Sequence, residues 1–155
     1  MGNFLSELGD VLFLDIETAS LESDFKELPP RLQEEWLKKE KHIIPKEEDV
    51  EPGSLFFQKA GIYAEFGKVI CVGDGYFHYL EEENKLEFRT KSYGEELEYD
   101  TLTAFCELLQ KKKWVLCAHN GKEFDFPYLS RRILINRIPL PEPLQIAGKK
   151  PWEVR

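Results

Sequence analysis

Two carboxylates near the amino terminus form a pattern that can bind a divalent metal ion. Asp15 and Glu17 extend the apolar run Val11–Leu14, which follows Gly9-Asp10 and predicts a buried strand. Side chains on a strand alternate, so Asp15 and Glu17 share one face and Ile16 points to the other. Two like charges this close repel each other unless a cation lies between them. The pair therefore indicates a site for Mg²⁺ or Mn²⁺, which prefer hard oxygen ligands.

An isolated Asp-x-Glu pair also has an ordinary structural interpretation. Asp15 can end the strand and cap a turn at Thr18, while Glu17 is solvated. A second motif is needed to favour the metal site.

The second motif begins at another predicted strand, Trp114–Ala118, and continues into the turn sequence His119-Asn120-Gly121. A helix is expected next, with Asp125 at or near its first turn and Pro127 in a position that suits a helix start. The apolar face of that helix would consist of residues at helical spacing: Phe126, Leu129 and Ile133. Asp125 can serve as a helix cap alone, or it can join Asp15 and Glu17.

Together, FLDIET at residues 13–18 and HNGKEFDFPYL at residues 119–129 resemble the first and second motifs of the DEDD, or DnaQ-like, 3′–5′ exonucleases. The second string is closest to the proofreading exonuclease domains of B-family DNA polymerases, and the resemblance covers most of residues 10–140. It implies three residues that are both catalytic and metal-binding: Asp15, Glu17 and Asp125. It implies substrate-binding positions at Asn120 and Phe124, which match positions beside the 3′-terminal nucleotide in the polymerase relatives, and a further one at Thr18. A turn amide and a core aromatic are the structural alternatives for Asn120 and Phe124.

The implied reaction is hydrolysis of the terminal phosphodiester with two Mg²⁺ or Mn²⁺ ions about 4 Å apart. By resemblance, Asp15 would bridge both ions, Glu17 would bind the ion that carries the attacking water, and Asp125 would complete the shell of the other. Aromatic side chains such as Phe124 would stack on a frayed base of single-stranded nucleic acid. DNA is the expected substrate, RNA is not excluded, and a polymerase or repair protein is the expected partner.

The fourth carboxylate of such a site is missing, because no Asp follows Asp125 and the remaining acids are Glu142 and Glu153. We therefore expect the sequence to be a fragment, cut before the last strand and the catalytic helix of a longer protein. The predicted fold is α/β, a ribonuclease-H-like mixed sheet flanked by helices that lacks its C-terminal closing elements. Residues 1–155 are expected to form a single domain with a helical insertion at about 19–67, which is long for a plain connection.

Between the motifs, the pattern predicts a strand over Lys68–Phe77 with a turn or bulge at its glycines, and a hairpin partner at Leu86–Thr90. Asp100 is predicted to cap a helix whose apolar residues share a face: Leu102, Phe105, Cys106 and Leu109. In the insertion, Pro29-Pro30 is predicted to start a helix that either packs on the sheet or clamps substrate. Its expected apolar face is Leu32, Trp36 and Ile43, and its expected i,i+4 pairs are Glu34 with Lys38 and Glu35 with Lys39.

Composition agrees with one domain, since 42% of the residues are hydrophobic and the chain has 155 residues. No apolar run approaches 18 residues and the first residues do not resemble a signal peptide, so we expect a cytoplasmic protein without membrane association. Cys71, Cys106 and Cys117 lie in apolar segments without Cys-x-x-Cys spacing, which predicts buried free thiols.

The net charge of −8 is unfavourable for binding phosphates, although it is unevenly distributed. From Ser130 onward the chain has a net charge of +4, with the basic residues Arg131, Arg132, Arg137, Lys149, Lys150 and Arg155. Acidic sites that bind phosphates through metal ions do not require a basic surface.

Two other functions remain open on the sequence alone. One is a catalytically incomplete module that binds nucleic acid or a metal ion without cleavage. The other is a ribonuclease H-type endonuclease, which shares the fold but fits the second motif poorly.

Overall fold

The computed structural model describes residues 7–44, 50–146 and 148, and it is an α/β structure with a four-stranded mixed, open sheet and flanking helices. The strand order is β3-β2-β1-β4. The strands and helices are β1 (Val11–Ser20), α1 (Pro30–Ile43), α2 (Phe56–Lys59), β2 (Gly67–Leu80), β3 (Lys85–Tyr93), α3 (Glu98–Leu109), β4 (Val115–Cys117) and α4 (Asp125–Ile135). The contacts divide the chain into two compact units, one of Met1–Glu17 with Val69–Arg155 and the other of Thr18–Lys68.

Strands β1 and β4 form a parallel pair in the first unit, with Val11 opposite Val115 and Phe13 opposite Cys117. Parallel neighbours require a crossover connection, and β2, β3 and α3 lie between them in the sequence. The strands predicted at both motifs are thus confirmed. Because the two strands run in the same direction, the chain segments that follow Phe13 and Cys117 leave the pair at the same edge.

Strands β2 and β3 form the predicted antiparallel hairpin, with Phe77 opposite Phe88. The predicted turn at the β2 glycines is wrong, because β2 continues through them to Leu80. At Gly75 the reason for glycine is space: a Cβ there would lie 2.5 Å from the ring of Phe88. The chain reverses instead near Asn84, which has a φ of 50°.

Strand β3 is at one end of the sheet in the described part of the chain, and charged side chains alternate along it. Glu87 lies between two cations, with Lys85 Nζ at 3.2 Å and an Arg89 guanidinium nitrogen at 3.4 Å. Alternation places these residues on one face together with Lys91.

The core of the first unit contains the predicted apolar faces of α3 and α4, and the buried residues include Leu102, Phe105, Cys106, Leu109, Phe126, Leu129 and Ile133. The prediction that Asp100 caps α3 is wrong, because the helix begins at Glu98 and Leu97 precedes it without a side-chain cap. Glu98 instead accepts a hydrogen bond from the Val69 N–H at 2.8 Å and pairs with Arg132.

The second unit, Thr18–Lys68, has its own core around Trp36. Helix α1 begins at Pro30 as predicted, and Leu32 and Ile43 pack with Trp36 in that core. The predicted i,i+4 ion pairs are replaced by an i,i+3 pair between Glu35 and Lys38 at 2.8 Å. Buried Glu40 accepts hydrogen bonds from Trp36 Nε1, at 3.3 Å, and from two main-chain N–H groups, those of Gly53 and Leu55.

The three cysteines are free, as predicted, but only Cys106 is buried, whereas Cys71 is partly exposed and Cys117 is exposed. Burial raises the pKa of the Cys106 thiol to about 11. Among the described residues, every helix is too short or too polar to cross a membrane. The predicted basic residues Lys149, Lys150 and Arg155, and the acid Glu153, lie outside the described residues.

Candidate functional site

Strand β1 presents its two carboxylates on one face, as the sequence predicts. Leu12, Leu14 and Ile16 are buried, and the alternate residues Asp15 and Glu17 are exposed. The apolar side chains fix the register of the strand against the core, so the carboxylates must project from the opposite face. The alternative in which Asp15 ends the strand is wrong, because β1 continues to Ser20.

In the second motif, a tight turn connects β4 to α4. Asn120 has a φ of 55°, a left-handed conformation that Asn tolerates better than most residues. Its carbonyl accepts hydrogen bonds from the N–H groups of Glu123 and Phe124, both at 3.0 Å. A Cβ on Gly121 would lie 2.7 Å from Ala118 Cβ and 2.7 Å from the Phe126 ring, so the turn has no room for a side chain there.

Asp125 is the first residue of α4, as predicted, and it is only 2% exposed. Its own main-chain N–H and that of Ile16, the residue between Asp15 and Glu17, lie close enough to favour the ionised form of this carboxyl and lower its pKa. The two motifs, about a hundred residues apart in the sequence, therefore meet in one unit. Position at the helix N-terminus also favours a negative charge.

The electrostatic environment of Asp125 is unfavourable for its ionised form. Burial raises the pKa of this carboxyl above its ordinary value of 3.8, and the negative charge of Asp15 raises it further. The two main-chain N–H groups and the charge of His119 act in the opposite direction without cancelling the rise. A cation between Asp15 and Asp125 would remove the repulsion.

The described residues bring together only part of the predicted metal set. Asp15 and Asp125 interact electrostatically, and Glu17 shares the strand face of Asp15. Within residues 7–44 and 50–146, no three His, Cys, Asp or Glu side chains are grouped so that they could hold a metal ion. Two carboxylate donors fit one Mg²⁺ or Mn²⁺ ion whose other positions are filled by water and substrate phosphate. They do not by themselves make a two-ion site.

The predicted substrate-binding residues have distinct positions. Asn120 is exposed at the turn, and Phe124 is partly buried immediately before α4, with its ring 5.4 Å from that of Tyr128. Thr18 is a partly buried residue of β1 and belongs to the second unit. The geometry of Asn120 and Phe124 also agrees with the structural alternatives of turn residue and packed aromatic.

An aromatic cluster on the same sheet face was missed by the sequence analysis. Phe13 lies two residues before Asp15, and its ring is 6.0 Å from the rings of both Phe77 and Phe88, which are themselves 4.8 Å apart. Phe88 remains 52% exposed. The alternation of Phe13 with Asp15 was available as a signal, but the strand pairing that adds the other two rings was not.

His119 was also missed as a site residue. His119 lies two residues after Cys117, and Asp15 lies two residues after Phe13, the partner of Cys117 on the parallel strand. The charge of His119 acts on Asp125. The sequence marked it only as part of a turn.

Comparisons with protein-family models, curated proteins and solved structures found no match to this chain. The resemblance to the exonucleases therefore depends on the residues of the two motifs, and the family of the chain stays a proposal.

Proposed function

We propose that this protein is a metal-dependent 3′–5′ exonuclease with a ribonuclease-H-like fold that hydrolyses the terminal phosphodiester of single-stranded nucleic acid, with DNA as the expected substrate. The observation that carries the proposal is the position of the buried Asp125 carboxyl, which lies beside the Ile16 main chain and is acted on by the charge of Asp15. This position joins the first and second motifs at one edge of the sheet. A structural helix cap alone would not require Asp125 to face a second carboxylate, Asp15.

The residues that would hold Mg²⁺ or Mn²⁺ are Asp15 and Asp125, with Glu17 on the same strand face as Asp15. When bound, such an ion stabilises charge on the phosphate and supplies a nucleophilic water at neutral pH. A second ion would need further ligands beyond those that the described residues group together.

The protein's own groups prepare the site in three ways. Burial of Asp125 at the first position of α4 restricts the orientation of its carboxylate. By resemblance, Asn120 and Phe124 lie beside the 3′-terminal nucleotide. The partly exposed rings of Phe13, Phe77 and Phe88 share the face of Asp15 and offer stacking surface to unpaired bases, which any base can use.

The test uses single-stranded DNA and RNA labelled at the 5′ end, incubated with Mn²⁺. In the full-length protein, the wild type should shorten the DNA from its 3′ end, and Asp15→Ala and Asp125→Asn should each reduce the rate by at least about 100-fold. Asp10→Asn is the matched control, since Asp10 is exposed and bonds Lys112. Near wild-type activity in Asp15→Ala would overturn the proposal, and internal rather than terminal products would indicate an endonuclease.

A catalytically incomplete binding module is the second candidate. It is favoured by one observation, that the described residues group no three metal-ligating side chains. Titration with Mn²⁺ separates the two functions: in a catalytic site Glu17→Gln should weaken binding, whereas a purely structural site should not respond. A polymerase or repair partner and a cytoplasmic location remain part of the proposal.

A further inference from the structure

An open groove of about 910 Å³ lies along helix α1 within the unit Thr18–Lys68. One wall is formed by the side chains of α1, including the exposed cations Arg31, Lys38 and Lys39. Tyr63 and Phe66 also line it. The groove thus combines positive charge with aromatic surface, although the chain as a whole has a net charge of −8.

Two carboxylates line the groove with these cations, Glu35 and Glu65. Glu35 forms its ion pair with Lys38 at the surface, where the two side chains are 50% and 67% exposed. Exposed pairs of this kind contribute little to stability, so Lys38 can exchange Glu35 for another anion at small cost. Lys39 lies over the Tyr63 ring, with its Nζ 4.2 Å from the ring centroid, which holds a positive charge at the aromatic wall.

The groove keeps a small net positive charge, because its lining has three Lys and Arg side chains against two carboxylates and the other acids of α1 lie outside it. Glu40 is turned into the core of the unit, where it binds the N–H groups of Gly53 and Leu55. Glu34 and Lys41 are exposed but do not line the groove. From Arg31 to Lys39 the helix rises about 12 Å, enough for contacts with several consecutive phosphates of an extended strand.

We propose that this groove binds the phosphodiester backbone of single-stranded nucleic acid, with Arg31, Lys38 and Lys39 contacting phosphates. A cationic groove with aromatic side chains is the arrangement by which proteins bind single strands without reading their sequence. The site goes beyond the exonuclease proposal, because binding here needs neither a metal ion nor the carboxylates of β1 and α4.

Fluorescence anisotropy of a labelled oligothymidylate, measured in EDTA at several salt concentrations, tests the groove directly. Three phosphate contacts predict that log K falls with log salt with a slope of about −2. Each lost contact should weaken binding about 5-fold at about 0.1 M salt, so Lys38→Gln combined with Lys39→Gln should weaken it about 25-fold and bring the slope to about −0.7. Lys41→Gln, on the same helix, should change affinity by less than about 2-fold.

Glu35→Gln provides a test in the opposite direction. Removing this carboxylate releases Lys38 and should tighten binding a few-fold, whereas Glu51→Gln makes the same change in net charge at an exposed residue of the same unit that does not line the groove, and it should have little effect. A general response to net charge would move both variants equally.

The proposal is overturned if the wild-type protein does not bind the oligonucleotide, or if Lys41→Gln and Glu51→Gln change affinity as much as the groove variants do. It is also overturned if polyglutamate binds and the oligonucleotide does not, since the groove would then be a protein-binding surface. Binding in EDTA needs no metal ion, whereas cleavage requires one. Binding without cleavage by the wild type would therefore count against the exonuclease alone, and cleavage without groove-dependent binding against the groove alone.

Discussion

Glu98 and Asp125 each occupy the first position of a helix in the same unit, and each lies beside a strand N–H, but their other neighbours differ. Glu98 pairs with Arg132, whose Nε donates at 2.8 Å, and it accepts a further bond from Asn136 at 2.9 Å. Asp125 faces Asp15 instead. One carboxylate has a full set of positive and polar partners, and the other lies beside a like charge.

The pKa values follow this difference. Burial alone would raise the pKa of Glu98, but hydrogen bonds from Arg132, Val69 and Asn136 outweigh it and lower the pKa. Burial and Asp15 raise the pKa of Asp125. A buried carboxylate that stabilises the fold is surrounded by hydrogen-bond donors. A buried carboxylate that lowers stability is typical of a functional site.

Removing Arg132, the cation that pairs with Glu98, should lower the stability of the protein the most. Arg132→Met leaves the negative charge of Glu98 buried with only neutral donors, which should lower the free energy of unfolding by about 3–5 kcal/mol. Urea denaturation measures the loss. Arg131→Met, on the neighbouring exposed position, should change stability by less than about 0.5 kcal/mol. A loss below about 1 kcal/mol in Arg132→Met would mean that the pair is not structural.

Crowding the turn before Asp125 should lower the stability of the protein by an intermediate amount. Gly121→Ala places a Cβ 2.7 Å from both Ala118 and Phe126, and this overpacking should cost about 1–3 kcal/mol. Gly73→Ala is the control, because the nearest atom to a Cβ there is the Asp15 carbonyl oxygen at 4.0 Å. Equal losses in the two variants, measured by thermal unfolding, would show that crowding at the turn is not the cause.

Neutralising Asp125 should have the smallest effect on the free energy of unfolding, and it should raise it rather than lower it. Asp125→Asn should raise the free energy of unfolding by about 0.5–2 kcal/mol at pH 7 without metal, because it removes a buried charge beside Asp15. Since the pKa of Asp125 is raised in the folded protein, its ionisation costs stability only above its ordinary pKa of 3.8, and the gain should shrink as the pH falls toward that value.

Glu98→Gln should show the reverse pH dependence. The pKa of Glu98 is lowered by folding, so its stabilisation is present above the ordinary value of 4.5 and is lost as the pH falls further. On acidification, the loss of stability caused by Glu98→Gln should therefore rise toward zero, whereas the gain of stability caused by Asp125→Asn should fall toward zero. Urea denaturation between about pH 3 and 7 distinguishes these curves. Adding Mn²⁺ should stabilise the wild type and not Asp125→Asn.

Asp74 on β2 is an intermediate case between these two carboxylates. Burial raises the pKa of Asp74, and the opposite charge of Lys91 and a hydrogen bond from Tyr93 offset part of this rise. Its Oδ2 is buried without a hydrogen-bond partner among the described residues. Burial, with the charge and hydrogen bond of Asp74, raises the pKa of Tyr93 to about 12. A buried carboxylate with incomplete hydrogen bonding thus also occurs outside the candidate site. A raised pKa alone therefore does not identify function.

The sequence predicted the strands and helices that depend on local patterns. The alternation around Asp15 and the helical spacing of Phe126, Leu129 and Ile133 are repeated over several residues, and both predictions are confirmed. The start of α3 was predicted wrongly because a local rule for Asp100 was applied where Glu98 makes long-range contacts with Val69 and Arg132. Those contacts cannot be read from neighbouring residues.

The site was predictable in its residue types and less so in its geometry. The two motifs named Asp15 and Asp125, but the proximity of Asp125 to the Ile16 N–H and to the charge of His119 depends on the parallel pairing of β1 with β4. The same pairing across the sheet brings Phe13 to Phe77 and Phe88. Interactions between distant strands depend on register, which the composition of one strand does not specify.

The charged face of β3 has a consequence for how the protein behaves at high concentration. A strand at the end of a sheet offers unpaired main-chain groups to other copies of the chain, and alternating charged residues such as Lys85, Glu87, Arg89 and Lys91 discourage such pairing. Salt screens charges at the surface, with a Debye length of about 3 Å at about 1 M. Dilute buffer therefore protects this edge from self-association, and concentrated salt removes part of that protection.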